Sequence, residues 1–236
     1  LGSRLVGVIK SKARMDLSYS RFPQDGRLDL TSSHATWARV SCVMTALGQR
    51  LVIRLLMTQE RLLDMGQLGL TVQQHEVLIH LSKQPSGLLV FCGATGSGKT
   101  TTMYSLLSAM ESDQRCLVSL ENPIEVMMKH MVQIEYRYED PMDLKRWVRA
   151  VLRQDLDVLV MGEIRSSAEL ECTINIALSG HLVMTTFHAG SIHQAIKRMK
   201  SLITKEALLT ACLKGVVYQQ VKKTGVDFSI GISQNT

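Results

Sequence analysis

Gly93-Ala-Thr-Gly-Ser-Gly-Lys-Thr100 fits the spacing G-x-x-x-x-G-K-[ST] at every fixed position. It follows an apolar run, Leu88–Cys92, and opens a helix pattern from Lys99 to Met110. A strand that ends in such a loop and passes straight into a helix restricts the chain to α/β folds that cradle phosphate. The glycines let the backbone N–H groups of Gly93, Ala94, Thr95, Gly96, Ser97 and Gly98 turn inward around an anion. The helix that follows adds the positive end of its dipole. Lys99 is placed to reach the β- and γ-phosphates of a nucleoside triphosphate such as ATP, and the Thr100 hydroxyl to ligate Mg2+. Thr101 is grouped with them as a nucleotide contact.

From Leu88 onward apolar runs alternate with helix patterns. Further runs lie at Cys116–Leu120, Val158–Met161 and Leu182–Phe187. An amphipathic stretch, Asp143–Arg153, and a helix pattern that closes at Gly180 separate them. This alternation predicts a mostly parallel sheet, at whose carboxyl edge ligands bind. The second run ends in Glu121-Asn-Pro-Ile-Glu125, the third in Gly162-Glu-Ile-Arg165, and the fourth in Thr185-Thr-Phe-His188. Hydrolysis of a nucleoside triphosphate needs a metal, a group that orients water and a sensor of the γ-phosphate. Glu121 and Glu163 are the carboxylate candidates, one to polarise water and the other to hold Mg2+; His188 would touch the γ-phosphate or the water. Taken alone, His188 and His181 each read as ordinary structural histidines. Residues 192–223 read as helical and basic, and the tail beyond them as uninformative.

Residues 1–60 read as a small, partial α/β or mostly β domain. Strands are predicted around Arg39–Met44 and Arg50–Leu56, with a turn signal at Pro23-Gln-Asp-Gly26. A linker is placed at 61–70 and the phosphate-loop domain at 71–236. Thr71 is predicted to cap the first helix of that domain. Arg27, Arg39, Arg50 and Arg54 cluster in the N-terminal piece, and Arg149 and Arg153, four apart, are predicted to share a helix face. Arginine's planar fork suits phosphate.

The 236 residues are 45% hydrophobic and 20% charged, enough for a full core, which excludes intrinsic disorder. No apolar run approaches the ~20 residues that cross a bilayer. The chain begins at Leu1 without a leader, and is read as cytoplasmic and as a fragment missing its start. Five widely spaced cysteines without a C-x-x-C support neither zinc nor a disulfide framework. The net charge of +6 permits an anionic partner, but no basic stripe interleaved with aromatics appears, so no direct DNA binding is expected.

These motifs resemble those of the bacterial ATPases of type II secretion, type IV pili and competence. Phe22-Pro-Gln-Asp-Gly-Arg27, Arg39-Val-Ser41 and Gln49–Arg54 resemble the N-terminal arginine segments of that family. Gly93–Thr102 resembles its Walker A segment and Leu120–Glu125 its Asp box. Leu152–Arg165 resembles its Walker B segment and Gly180–His188 its His box. Five ordered motifs over roughly 165 residues leave little room for coincidence. Asn122, Leu156 and Ser166 depart from the family pattern, where Asp, Pro and Asp are usual. The resemblance implies a RecA-like motor domain preceded by a small PAS-like, sensor-like domain, with ATP between the two. It implies Glu121 as catalytic glutamate, Glu163 as Walker B glutamate, and His181 and His188 as His-box members. Arg27, Arg39 and Arg54 become phosphate contacts, and Arg149 and Arg153 the paired helix arginines. It further implies a homo-hexamer at the inner face of the plasma membrane, docked through a polytopic inner-membrane platform protein and driving a pilus-like assembly. Among its branches, competence DNA uptake or type II-like secretion is expected. The alternatives are a nucleic-acid motor and an ATP-binding ring subunit with weak hydrolysis.

Overall fold

The computed structural model describes residues 2–18, 22–32, 35–55, 57–58, 63–110, 115–136, 141–222 and 225–232. They form two compact units, 1–61 with 125–127, and 62–124 with 128–236. Residues 61 and 62 of the expected linker lie outside the described residues. The rest of that stretch is ordered: Met65–Gln67 make a 3-10 turn, and Met65 and Leu68 are buried.

In the first unit, helix α1 (Gly2–Lys12) is followed by strands β1 (Gln24–Ser32), β2 (Ala35–Thr45) and β3 (Gly48–Leu55), which form an antiparallel sheet in that order. Ala13, Met15, Val40 and Cys42 form its core, with Ile9, Leu28 and Leu51 packed against it. A two-residue strand β4 (Met57–Thr58) pairs in parallel with β7 (Val126–Met127). The predicted turn at 23–26 is instead the start of β1. Its glycine answers to packing: a Cβ on Gly26 would collide with the Ala13 carbonyl oxygen.

The second unit opens with helix α2 (Val72–Ser82). As expected, Thr71 caps it, its side chain accepting from the Gln74 N–H while Gln74 reaches back to the Thr71 N–H. Then come β5 (Gly87–Cys92), α3 (Lys99–Ala109), β6 (Leu117–Glu121), β8 (Val132–Glu135), α4 (Pro141–Val151), β9 (Val158–Glu163), α5 (Ser167–Leu178), β10 (Leu182–Phe187), α6 (Ile192–Ser201), α7 (Glu206–Cys212), β11 (Leu213–Lys222) and β12 (Gly225–Ile232). The sheet order is β12-β11-β5-β10-β9-β6-β8; only the β11–β12 pair is antiparallel. This is the predicted mostly parallel α/β sheet. Leu88, Val90 and Cys92 of β5, with Val118, Leu120 and Leu159, meet Leu144, Val148, Leu170, Ile174, Ala195, Met199 and Leu209 of the helices α4 to α7. Alternation puts Leu89 and Phe91 on the other face, and α3 packs against β5 and β10.

Two expectations fail here. Residues 213–222, expected to continue the basic helical stretch, are instead a strand, and it pairs with a second strand at 225–232 in the tail read as uninformative. The run Val216-Val-Tyr-Gln-Gln-Val221 is rich in residues that favour a pleated surface, and Val216 and Val217 are buried where β11 lies beside β5. Arg153 is also off the helix. α4 ends at Val151, and Arg153 sits in the turn beyond it, its N–H bonded to the Ala150 carbonyl. The departures at 156 and 166 have local uses. Leu156 is buried in the core, and Ser166 caps α5 in a capping box with Glu169. Ser166→Ala is expected to lower stability by about 1 kcal/mol, read as a fall of roughly 2–4 °C in the thermal midpoint.

Candidate functional site

The loop between β5 and α3 carries the geometry that its glycines require. Gly96 and Gly98 have φ of 75° and 86°, where a side chain is strained. Gly93 is small for a different reason: a Cβ there would lie 2.5 Å from Ser97 Oγ and strike the Gln219 carbonyl oxygen. Gly98 precedes the first turn of α3, so the loop closes onto a helix N-terminus. Lys99 is almost fully buried, and its Nζ donates to the carbonyls of Gly93 at 3.1 Å and Ala94 at 2.8 Å. The ammonium thus lies folded over the loop, next to the N–H groups. Burial pushes the neighbouring Cys92 thiol up to about 12 against the opposing pull of Lys99, which leaves it inert.

Glu121 ends β6 and Glu163 ends β9, and these strands are neighbours. They come close together: a Cβ on Gly162 would sit 3.5 Å from Glu121 Cα. Glu121 is buried, and its Oε1 accepts from the Ser119 hydroxyl at 2.5 Å and from Gln133 Nε2 at 3.4 Å. Gln133 also approaches the hydroxyl of Tyr104 on α3, at 3.5 Å. The register of β9 against β10 shifts at Gly162: Thr185 faces Met161 and Thr186 faces Glu163. Such a bulge re-aims the side chain beyond it. Glu163 Oε2 takes Arg165 Nε at 2.7 Å and Nη2 at 2.6 Å, while Oε1 pairs with His188 Nε2. The hydrogen bond from Arg165 to Glu163 holds that guanidinium above its ordinary value. His188 is fixed in turn by Arg198, whose Nη1 donates to the His188 carbonyl at 3.0 Å and whose guanidinium lies 5.2 Å from the Phe187 ring.

The phosphate loop, Glu121, Glu163 and His188 therefore share the carboxyl edge of the sheet. Three other candidates do not. His181 lies where β5 and β10 begin, its carbonyl accepting from the Gly87 N–H and its Nδ1 lying 3.1 Å from Ser179 Oγ. Arg149, in the last turn of α4, and Arg153 beyond it are exposed at the edge where β6 and β9 begin. A strand of this length is about 20 Å long, so none of the three is near its own chain's loop.

In the first unit the predicted arginines line up. Arg27 faces Arg39 across β1 and β2, and Arg39 faces Arg54 across β2 and β3. Directly opposed residues share a face, where like charges repel. The repulsion is offset by Asp29, 3.1 Å from Arg27 Nε, by Asp25, 3.6 Å from Arg39 Nε, and by the Trp37 ring, 4.4 Å from the Arg27 guanidinium. Sequence reasoning missed Ser119, Gln133, Tyr104, Arg198 and Gln219. Ser119 carried a signal, since a residue two before Glu121 in a strand points to the same side; the others depend on tertiary pairing.

Comparison with known proteins bears on this geometry. The family model described as Type II/IV secretion system protein matches residues 1–227. The chain is 37% identical over 225 residues to the type II secretion system protein E of Aeromonas hydrophila, and 36% identical over 225 residues to the type II secretion system ATPase E of Vibrio cholerae. Each alignment covers 95% of this chain and 45% of the relative, so the chain spans about half the length of these curated relatives. Among solved structures, the pilus retraction motor PilT with bound ADP superposes with a TM-score of 0.77 at 23% identity, covering 91% of this chain and 64% of that one. The Legionella pneumophila ATPase DotB superposes at 0.76 and 18% identity, covering 98% and 68%. These two likenesses show the fold alone: a mostly parallel α/β sheet domain and a small antiparallel sheet domain.

Proposed function

We infer the function from one premise: the chain belongs to the Type II/IV secretion system protein family. Its reading is a motor ATPase whose 71–236 domain binds and hydrolyses ATP, preceded by the 1–60 domain and a linker at 61–70. The observation that carries it is the meeting of a complete phosphate loop with two carboxylates at the same sheet edge. The loop N–H groups and Lys99 hold the β- and γ-phosphates. Glu121, oriented by Ser119 and Gln133, accepts the proton of a water as its oxygen attacks the γ-phosphorus and ADP leaves. His188 and Arg165 hold Glu163 in place beside it. Arg27, Arg39 and Arg54 offer a row of forks for phosphate. His181, Arg149 and Arg153 are assigned no contact with their own chain's nucleotide.

Among the described residues no group of three or more His, Cys, Asp or Glu could hold a metal alone. The Thr100 hydroxyl at the start of α3 and the Glu163 carboxylate at the end of β9 are hard oxygen donors that fit Mg2+, which keeps several waters and takes substrate phosphates with only one or two protein oxygens. Thr100 and Glu163 would supply those oxygens, and the ion would neutralise charge on the β- and γ-phosphates.

The names of the curated relatives favour a secretion apparatus over competence DNA uptake. Among the described residues no helix is long and apolar enough to cross a membrane, and the reading places the chain at the cytoplasmic face through an inner-membrane platform protein. A homo-hexameric ring completes it, since a ring lets one subunit's nucleotide state move the next. Phosphate release and light scattering, with and without a non-hydrolysable ATP analogue, test the reading together. Mg2+-dependent turnover and analogue-dependent assembly are expected, with Arg39→Ala weakening both. A strict monomer in every state, with Arg39→Ala turning over like the unaltered chain, overturns the ring.

A further inference from the structure

We propose that Gln219, on β11, is a positioning residue that clamps the phosphate loop from beneath and sets its affinity for nucleotide. The proposal rests on the reading that this loop binds nucleotide phosphates.

Independent observations converge on one residue. Gln219 is 1% exposed, and its Nε2 donates to the Ser97 carbonyl in the middle of the loop. Its backbone carbonyl occupies the space that a Cβ on Gly93 would need, and its side-chain nitrogen lies 2.9 Å from where a Cβ on Gly98 would be. Gln219 therefore touches the first, middle and last parts of the loop, from the strand that pairs with β5 on the side away from β10. The carboxylate strands flank the loop from one side of β5, and Gln219 grips it from the other.

The contact is not explained by stability. Gln219 Oε1 and Ser97 Oγ are both buried and, among the described residues, find no hydrogen-bond partner. A buried amide left half-satisfied is unfavourable; an apolar side chain of the same volume removes the orphaned oxygen but leaves the buried Ser97 carbonyl without its donor, so the exchange is close to neutral in stability. What the amide supplies is direction. By holding the Ser97 carbonyl on the sheet side of the loop, it turns the Gly98 N–H of the same peptide to the opposite side, where a phosphate would lie; the Ser97 N–H is itself bonded to the Ala94 carbonyl. A loop fixed before the ligand arrives loses less entropy on binding.

Stability and affinity are thereby predicted to separate. Gln219→Met keeps the volume and removes the donor; Gln219→Asn keeps the amide and shortens its reach. The experiment titrates the whole chain and both variants with a fluorescent ATP analogue in Mg2+, and records thermal unfolding of each without nucleotide. The unaltered chain binds, and both variants bind about tenfold more weakly, equivalent to ~1.4 kcal/mol. The unfolding temperature of Gln219→Met stays close to that of the unaltered chain, because the orphaned Oε1 that is removed offsets the Ser97 carbonyl that is left unpaired. KM for ATP rises by a similar factor while kcat moves little, because the clamp acts on ground and transition states alike. Unchanged affinity in both variants overturns the proposal. So does an affinity loss that appears only together with a fall in unfolding temperature, which is the behaviour of a merely structural residue. No binding by the unaltered chain would instead remove the phosphate-loop reading itself, and the proposal with it.

Discussion

Lys99→Ala is expected to lower ATP turnover by at least about a hundredfold, the loss typical when one preorganised donor to a developing negative charge is removed. The side chain is the one ammonium belonging to the loop itself. It is almost fully buried and already lies against the Gly93 and Ala94 carbonyls. Little reorganisation is then needed for it to meet a β- or γ-phosphate. In a site with water excluded, such a charge acts far more strongly than it would in solution. Alanine keeps the helix start, since it is a strong helix former, so the fold is expected to survive. Steady-state phosphate release on the purified variant checks this. Turnover within about tenfold of the unaltered chain, a barrier change of only ~1.4 kcal/mol, would remove Lys99 from the machinery.

Glu121→Gln is expected to cut turnover by roughly a hundredfold or more, the usual contribution of a positioned general base, while leaving ATP bound. The amide fills the same volume and can still meet the Ser119 hydroxyl and the Gln133 amide, so the β6 edge keeps its shape. It cannot take a proton from water. Nucleotide recovered from the variant after incubation with ATP and Mg2+ should be ATP; recovery of ADP at the rate of the unaltered chain would pass the role to Glu163. Glu163→Gln is the milder change to expect in binding, because that carboxylate is already committed to Arg165 and His188.

The parts of this site that depend on local chemistry were legible in the residues. The phosphate loop announces itself, because its glycines answer to backbone geometry that side chains rarely adopt, at Gly96 and Gly98. Glu121, Glu163 and His188 were found by asking what stands at the ends of apolar runs, and parallel topology brings those ends to one edge. His181, Arg149 and Arg153 entered the site only through the resemblance, and the structure sets them at the opposite edge of the sheet from the loop, since a motif names neighbours along the chain and says nothing of which end of a strand faces the loop. Gln219 was out of reach for a different reason. Residues 213–222 sit next to a basic helical stretch, and only pairing with β5, 120-odd residues earlier in the chain, makes them a strand. The arginine row shows the converse. Clustering of Arg27, Arg39 and Arg54 was visible, but their alignment across three strands depends on register, which sequence sets only through turns and burial.

Competition for the nucleotide site tests the central claim most directly. If the loop from Gly93 to Thr100 recognises its ligand through the β- and γ-phosphates, unlabelled ATP and ADP must displace a fluorescent ATP analogue from the unaltered chain in Mg2+, and AMP, which lacks both, must not. Inorganic pyrophosphate should also compete, more weakly than ADP. Absence of any binding, or displacement by AMP as readily as by ADP, would contradict a phosphate-reading loop and the ATPase built upon it.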